Sequence, residues 1–268
     1  MMPTGATAPR PRTGTPALSP RTPAPGPRPR AVPGPPPLVL VAHGSRDPRT
    51  PAAVAALLTR VRALAPRLPV RLAHLELNAP TLPEVLGELP PGLAVLVPLL
   101  LGRGYHSSHD IPAAAARAAH LGTAVAPPLG PHPLLTDALR DRLHEAGWRR
   151  SARGAVVLAA AGSRDPAGTA DTVRAAGLLA AGLGVPVTAA YASATRPTVA
   201  EAVRELRAAG HRDTAVASYF TAPGRFAAQC AAAPALAAAP LGAHPAVARL
   251  LLHRYTTARA TLPVPVPH

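Results

Sequence analysis

Apolar residues along this chain come in short unbroken runs, and the stretches between them carry apolar residues at helical spacing. Runs at 38–42, 69–76, 93–101 and 123–127 have strand length, as do 155–160, 185–192 and 213–220. A run of that length without alternation predicts a strand buried on both faces. The intervening pattern predicts helices over 51–64, 81–89, 111–120, 132–146, 167–182, 197–209 and 244–258. Strands alternating with helices of this length predict an α/β fold with parallel sheets covered on both sides. Residues 1–37 break the pattern. They are Pro, Arg, Gly, Thr and Ala with no apolar period, too little to offset the entropy of ordering, and a disordered tail is expected there.

The pattern is written twice. "LVLVAHGSRDPRT" (38–50) returns as "VVLAAAGSRDPAG" (156–168). "LELNAPTLPEVLGEL" (75–89) parallels "YASATRPTVAEAVREL" (191–206), and "VPLLLGRGYHSSHDIP" (97–112) parallels "ASYFTAPGRFAAQC" (217–230). "PPLGPHPLLTDAL" (127–139) parallels "APLGAHPAVARLL" (239–251). Two units follow, 38–147 and 154–258, each with a parallel sheet covered on both faces and each of domain size. The second lacks a clear fourth strand. Residues 227–239 are nearly all alanine, and helix or an ill-defined segment is expected there.

Composition narrows the class. All 28 basic residues are arginine, against 13 acidic ones, for a net charge of +15. The tail holds Arg10, Arg12, Arg21, Arg28 and Arg30 and no acid, yet the body remains basic, which predicts an acidic ligand. Nucleic acid is disfavoured. No helix-turn-helix or finger pattern occurs, and aromatic residues make up only 3%. Cys230 stands alone, so neither a disulfide framework nor a thiolate metal cage is expected, and it is read as a buried, inert thiol. The longest apolar run, Leu93–Leu101, is too short to span a bilayer, and prolines interrupt any signal-like N-terminus. A soluble cytoplasmic protein is expected.

The duplication serves as an internal control. Residues kept in both halves are expected to serve the fold, and those present in one half only are candidates for chemistry. Gly44 to Pro48 recurs as Gly162 to Pro166, which suits a strand-to-helix turn, or a ring of backbone N–H groups facing an anion. His132 and His244 recur in a PLG-x-HP phrase and suit helix entry. His43 is replaced by Ala161, Glu76 by Ala192 or Ser193, and His106 by Phe226. All three first-half residues fall at or just past the C-terminal ends of the first three predicted strands, where open parallel sheets bind ligands. Two imidazoles and a carboxylate suit a borderline divalent metal such as Fe, Co, Ni or Zn, with coordination positions left open for exchange. His109 is read as loop or supporting residue, with Ser108-His109-Asp110 as the start of a helix, and His74 as a strand histidine on the face of Glu76.

These phrases resemble the sirohydrochlorin chelatases in their tandem form. "VAHGSRDP", then "LEL-N-AP", then "VPLLLGRGYHSSHDIP" carry the resemblance, which extends over about 38–258. It implies a class II chelatase fold of two Rossmann-like lobes, with a modified tetrapyrrole in the cleft between them. It also implies insertion of Fe²⁺ or Co²⁺, or Ni²⁺, into sirohydrochlorin on the way to siroheme or cobalamin. His43, His106 and Glu76 match the family's metal-holding and proton-accepting residues. Ser45, Arg46 and Arg103 are then expected against the substrate's carboxylates. No P-loop or G-x-G-x-x-G phrase is present, so neither ATP nor another nucleotide is expected. The competing reading is a carrier that binds metal or tetrapyrrole in the same cleft without turnover. Monomer and homodimer remain open.

Overall fold

The computed structural model describes residues 34–263, so the tail expected to be disordered lies, up to residue 33, outside the described residues. The first half runs β1 (Leu38–Ala42), α1 (Arg49–Leu64), β2 (Val70–His74), α2 (Leu82–Glu88) and β3 (Gly92–Pro98). A π-helical turn, His106–Asp110, then leads directly into α3 (Ile111–Arg117), followed by β4 (Leu121–Val125) and α4 (Pro133–Glu145). The second half repeats the order with β5 (Gly154–Ala160), α5 (Pro166–Leu183), β6 (Val187–Tyr191), α6 (Val199–Ala208), β7 (Asp213–Ser218), α7 (Arg225–Ala231), β8 (Leu236–Ala237) and α8 (Pro245–Arg259).

Each half forms a four-stranded parallel sheet, in the orders β2-β1-β3-β4 and β6-β5-β7-β8. β1 and β5 are buried at every position, as unbroken apolar strands must be when helices cover both faces. The expectation of a missing fourth strand is corrected. β8 pairs with β7 through Ala215↔Leu236 and Val216↔Ala237. The helix expected in 227–239 is present as the end of α7, and the two residues Leu236 and Ala237 that follow become a strand because β7 offers an open edge, not through any local signal.

Local chemistry sets the helix starts. Thr81 with Glu84, and Thr198 with Glu201, form capping boxes at α2 and α6. His132 and His244 cap α4 and α8, their Nδ1 atoms accepting the N–H of Leu134 and Ala246 at 3.2 Å. Asp165 caps α5 by accepting the Ala167 N–H at 2.8 Å.

Alternate residues of the strands face different cores. Val39, Val41, Ala94 and Leu96 pack under α2 and α3, and Ala155, Val157 and Ala159 under α6 and α7. The opposite faces of both sheets share one core with α1, α4, α5 and α8. In that shared layer the last helices are exchanged, since α8 packs on β3 and β4 of the first sheet and α4 on β7 of the second. The exchange is fastened symmetrically. Arg142 of α4 donates to the Leu241 carbonyl at 3.0 Å, and Arg254 of α8 donates to the Leu129 carbonyl at 2.9 Å. Leu135, Leu139 and Leu143 of α4 are fully buried there, each contributing about 2 kcal/mol of transfer free energy. Among the described residues no helix is long and apolar enough to cross a membrane.

Candidate metal-holding site

In the first sheet the chain leaves β1 toward β2 on one side and, after returning, extends to β3 and β4 on the other. The C-terminal ends of β1 and β3 therefore flank the point where the strand order reverses, the place where such sheets open a crevice. His43 follows β1 and His106 lies beyond β3. Their rings meet edge to face, with centroids 4.7 Å apart and planes at 88°. Glu76 follows β2, and its Oε1 lies 3.9 Å from His106 Nε2. Three segments distant in sequence thus meet in one place.

The backbone explains how. The Glu76 N–H donates to the His43 carbonyl at 3.0 Å, extending the β1–β2 pairing past the strands. Gly44 adopts φ +99°, and a Cβ there would sit 1.8 Å from the Glu76 carbonyl oxygen. Only glycine lets the two chains approach this closely. Leu77 takes φ +65° directly afterwards. The second half copies the scaffold: Ser193 N–H donates to the Ala161 carbonyl at 3.0 Å, Gly162 has φ +93°, and Ala194 has φ +61°. This register places Ser193 opposite Glu76 and resolves the two-way alignment left by the sequence.

His106 opens the π-helical turn, and its Nδ1 lies 2.6 Å from Asp110 Oδ2. A carboxylate can only accept, so the neutral ring carries its proton on Nδ1 and leaves the Nε2 lone pair directed to the Glu76 side. Asp110 was missed, because Ser108-His109-Asp110 was expected to start a helix. The helical turn begins earlier, at His106, and Asp110 falls one turn after it. The repeat comparison held a signal: the register that pairs Gly104 with Gly224 puts Cys230 opposite Asp110, so this residue too changes between halves. Asn78, opposite Thr195, was missed likewise, and its Oδ1 accepts the Ser45 N–H at 2.7 Å.

The other expected contacts fare differently. Ser45 Oγ accepts the Asp47 N–H at 3.0 Å, so the turn satisfies its own groups and offers no ring of free N–H donors at these positions. Arg46 is exposed. Asp47 bonds the backbone and guanidinium of Arg49, which pulls its carboxyl down to about 2. Arg103 is paired across the molecule, with its side chain still 49% exposed. Its guanidinium grips Asp171 of α5 with Nε at 2.9 Å and Nη2 at 2.8 Å, which holds the Asp171 carboxyl below the usual range. His109 is exposed on the π-helical turn, its ring stacked on Tyr105 at 4.8 Å. His74 Nδ1 lies 3.3 Å from the Pro80 carbonyl, as a strand histidine satisfied by its neighbour.

Among the described residues no three His, Cys, Asp or Glu side chains form a ready-made metal cage. His43 and Glu76 are exposed, while His106 is half-buried. One imidazole is fixed, and the other two groups stand free to turn toward an ion. A cavity of about 500 Å³ lined by Arg60, Asp141, His144 and His244 shares no residue with this site.

The family model for CbiX matches residues 37–146 and, a second time, residues 155–258. Among solved structures, the chain is similar to SirB from Bacillus subtilis with Fe³⁺, at 24% identity and a TM-score of 0.69, over 84% of this chain and 96% of that one. It is similar to the sirohydrochlorin chelatase SirB from Bacillus subtilis subspecies spizizenii in complex with cobalt, at 22% identity and a TM-score of 0.67, with the same coverage of 84% and 96%. A third likeness is to CbiX, the terminal enzyme for siroheme biosynthesis in denitrifying bacteria, at 22% identity and a TM-score of 0.63, over 83% and 99%. At these identities the likeness is one of fold. No curated protein matches significantly.

Proposed function

The chain belongs to the CbiX family, both of its halves being matched by the family model, and from that premise we propose that it is a chelatase that inserts Fe²⁺ or Co²⁺ into sirohydrochlorin. The observation that carries the proposal is the meeting of His43, His106 and Glu76 at the strand-order switch of the first sheet alone. The matched positions of the second half carry Ala161 and Phe226, which offer no ligand atom, and Ser193, whose hydroxyl donates to the Ala161 carbonyl at 2.9 Å.

Insertion exchanges two pyrrole N–H protons for one divalent ion, so the site must release a metal and accept two protons. Asp110 fixes the His106 ring through Nδ1 and orients Nε2 toward the site. The 3.9 Å between Nε2 and Glu76 Oε1 is too long for a hydrogen bond. It lies within the roughly 3–4 Å subtended by two donors each about 2.1 Å from one ion. His43 and Glu76, both exposed, can leave the ion as ring nitrogens replace them, then take up the pyrrole protons and pass them to water. A sparse set of neutral imidazoles and one carboxylate binds without trapping. The ligands do not choose between iron and cobalt, since geometry and supply set that selectivity. The ring's peripheral carboxylates suit the basic body of the chain, with Arg46 free to pair with them. The exchange draws on no nucleotide. We place the protein in the cytoplasm, acting as a monomer or a homodimer.

The test is anaerobic absorbance of sirohydrochlorin with Co²⁺ or Fe²⁺, with the protein and with its His43→Ala variant. Multiple-turnover conversion to the metallated spectrum, lost in the variant, is expected. A rate equal to that without protein refutes the enzyme, and metal retention in the same samples then identifies a carrier.

A further inference from the structure

The segment that joins β3 to His106 is fastened from the opposite half of the molecule. Asp171 of α5, its side chain only 3% exposed, accepts three hydrogen bonds from Arg103: the backbone N–H at 3.2 Å, Nε at 2.9 Å and Nη2 at 2.8 Å. Arg174, one turn along α5, pairs with the same carboxylate. Two residues before Arg103, the Leu101 carbonyl accepts the hydroxyl of Tyr219, just past the end of β7, at 3.2 Å. α5 also presses directly on the segment, since a Cβ on Gly168 would lie 2.4 Å from the Arg103 carbonyl oxygen.

This fastening has no mirror image, although almost everything around it does. In the register of the two halves, Arg103 corresponds to Pro223, Asp171 to Ala53 and Tyr219 to Leu99. The matching segment of the second half is met by the Thr50 hydroxyl, which donates to the Pro223 carbonyl at 2.7 Å, and it carries no ion pair among the described residues. The asymmetry follows the chemistry. Gly104 comes next after Arg103, and its carbonyl accepts the N–H groups of Ser107 and Ser108 at 3.1 Å, so it anchors the π-helical turn that carries His106. A bidentate guanidinium–carboxylate pair fixes orientation as well as distance. We infer that Asp171 is a positioning residue: acting through Arg103, it holds the segment that keeps the His106 imidazole against His43 and Glu76, so the half without metal-holding residues serves the site by gripping its loop. The inference rests on the metal-insertion reading for its kinetic consequence only.

The experiment compares the full chain with Arg103→Ala, Asp171→Asn and the double variant. It measures amide hydrogen exchange across 101–110, Co²⁺ affinity from the visible spectrum, and steady-state insertion kinetics. Both single variants are expected to speed exchange in 101–110 about tenfold, leaving the first sheet protected. Each should weaken Co²⁺ binding and lower kcat about tenfold, the scale seen when a ligand's support is removed. The KM for sirohydrochlorin should stay within about twofold, and the double variant should be no worse than the weaker single. Unchanged exchange in both single variants overturns the inference. So does an Arg103→Ala variant with raised tetrapyrrole KM beside an Asp171→Asn variant that behaves as the parent, because Arg103 is then a substrate contact. If Asp171→Asn does not fold, Arg103→Ala decides, since Asp171 there keeps its pair with Arg174. Absence of turnover in the parent refutes the chelatase reading alone, and the exchange data still decide the fastening.

Discussion

Replacing Gly44 by alanine puts strain and misplacement into one atom, and the duplication supplies a matched control. At φ +99° a side chain costs about 1–2 kcal/mol in backbone strain. The new Cβ would begin 1.8 Å from the Glu76 carbonyl oxygen, so the end of β2 must withdraw by more than 1 Å. That withdrawal breaks the Glu76 N–H to His43 carbonyl bond, worth about 1 kcal/mol. The loss is about 3 kcal/mol, or roughly 6–12 °C in Tm for a chain of this size. Gly162→Ala meets the same conditions, with φ +93°, a Cβ 1.9 Å from the Ser193 carbonyl oxygen and the matching Ser193–Ala161 bond. The two variants should therefore melt within a few degrees of each other. Their activities should part. Displacing Glu76 by about 1 Å costs on the order of 10²-fold in rate, whereas displacing Ser193 moves none of the three proposed metal-holding residues. Calorimetry and anaerobic cobalt insertion, assayed well below both melting points, read the two effects separately. Equal activity losses in the two variants, or full activity in Gly44→Ala, would refute the assignment of the site to the first half.

Asp110→Ala should weaken Co²⁺ binding by about 10–100-fold, because His106 loses the partner that fixes its tautomer and ring plane, and a visible-absorption titration checks this. Asp171 titrates below the normal carboxylate range because Arg103 bonds its charged form. A depressed folded-state value adds stability above the unfolded pKa of about 3.9 that disappears as pH falls through the folded value. Urea melts between pH 2.5 and 5 should show a shallower acid loss in Asp171→Asn than in the parent, and identical slopes would contradict the assignment. Burial pushes the Cys230 thiol up to about 11. At pH 8 a disulfide reagent should leave it untouched in the native protein and titrate one thiol in guanidinium; rapid native labelling would show that α7 opens easily.

Most of the local structure was legible in the chain because it depends on neighbours in sequence. Unbroken apolar runs such as 38–42 have one stable environment, a parallel strand covered on both faces. The helix starts at Thr81, His132 and His244 are set by side chains reaching backbone groups two or three residues away. The repeat also exposed His43, Glu76 and His106, since one half kept the fold and lost them. What depends on contacts between segments far apart along the chain or between the halves was hidden. β8 is a strand because β7 offers an unpaired edge. α4 and α8 change sheets because apolar helix faces carry no label saying which sheet they cover. Arg103 looks as available as Arg46 when only its charge is read. Its guanidinium is taken by Asp171, 68 residues away, and only the packing of α5 against the β3 loop brings that carboxylate there, buried and in need of a cation. Asp110 was misread for a smaller reason: the helical turn begins at His106, sooner than the proline suggests, which makes a residue expected at a helix start the hydrogen-bond partner of His106. Sequence determined which residue types stand at each strand end, through rules that act over a few residues. Tertiary packing decided which of those charges are free and which are spent on holding the site together.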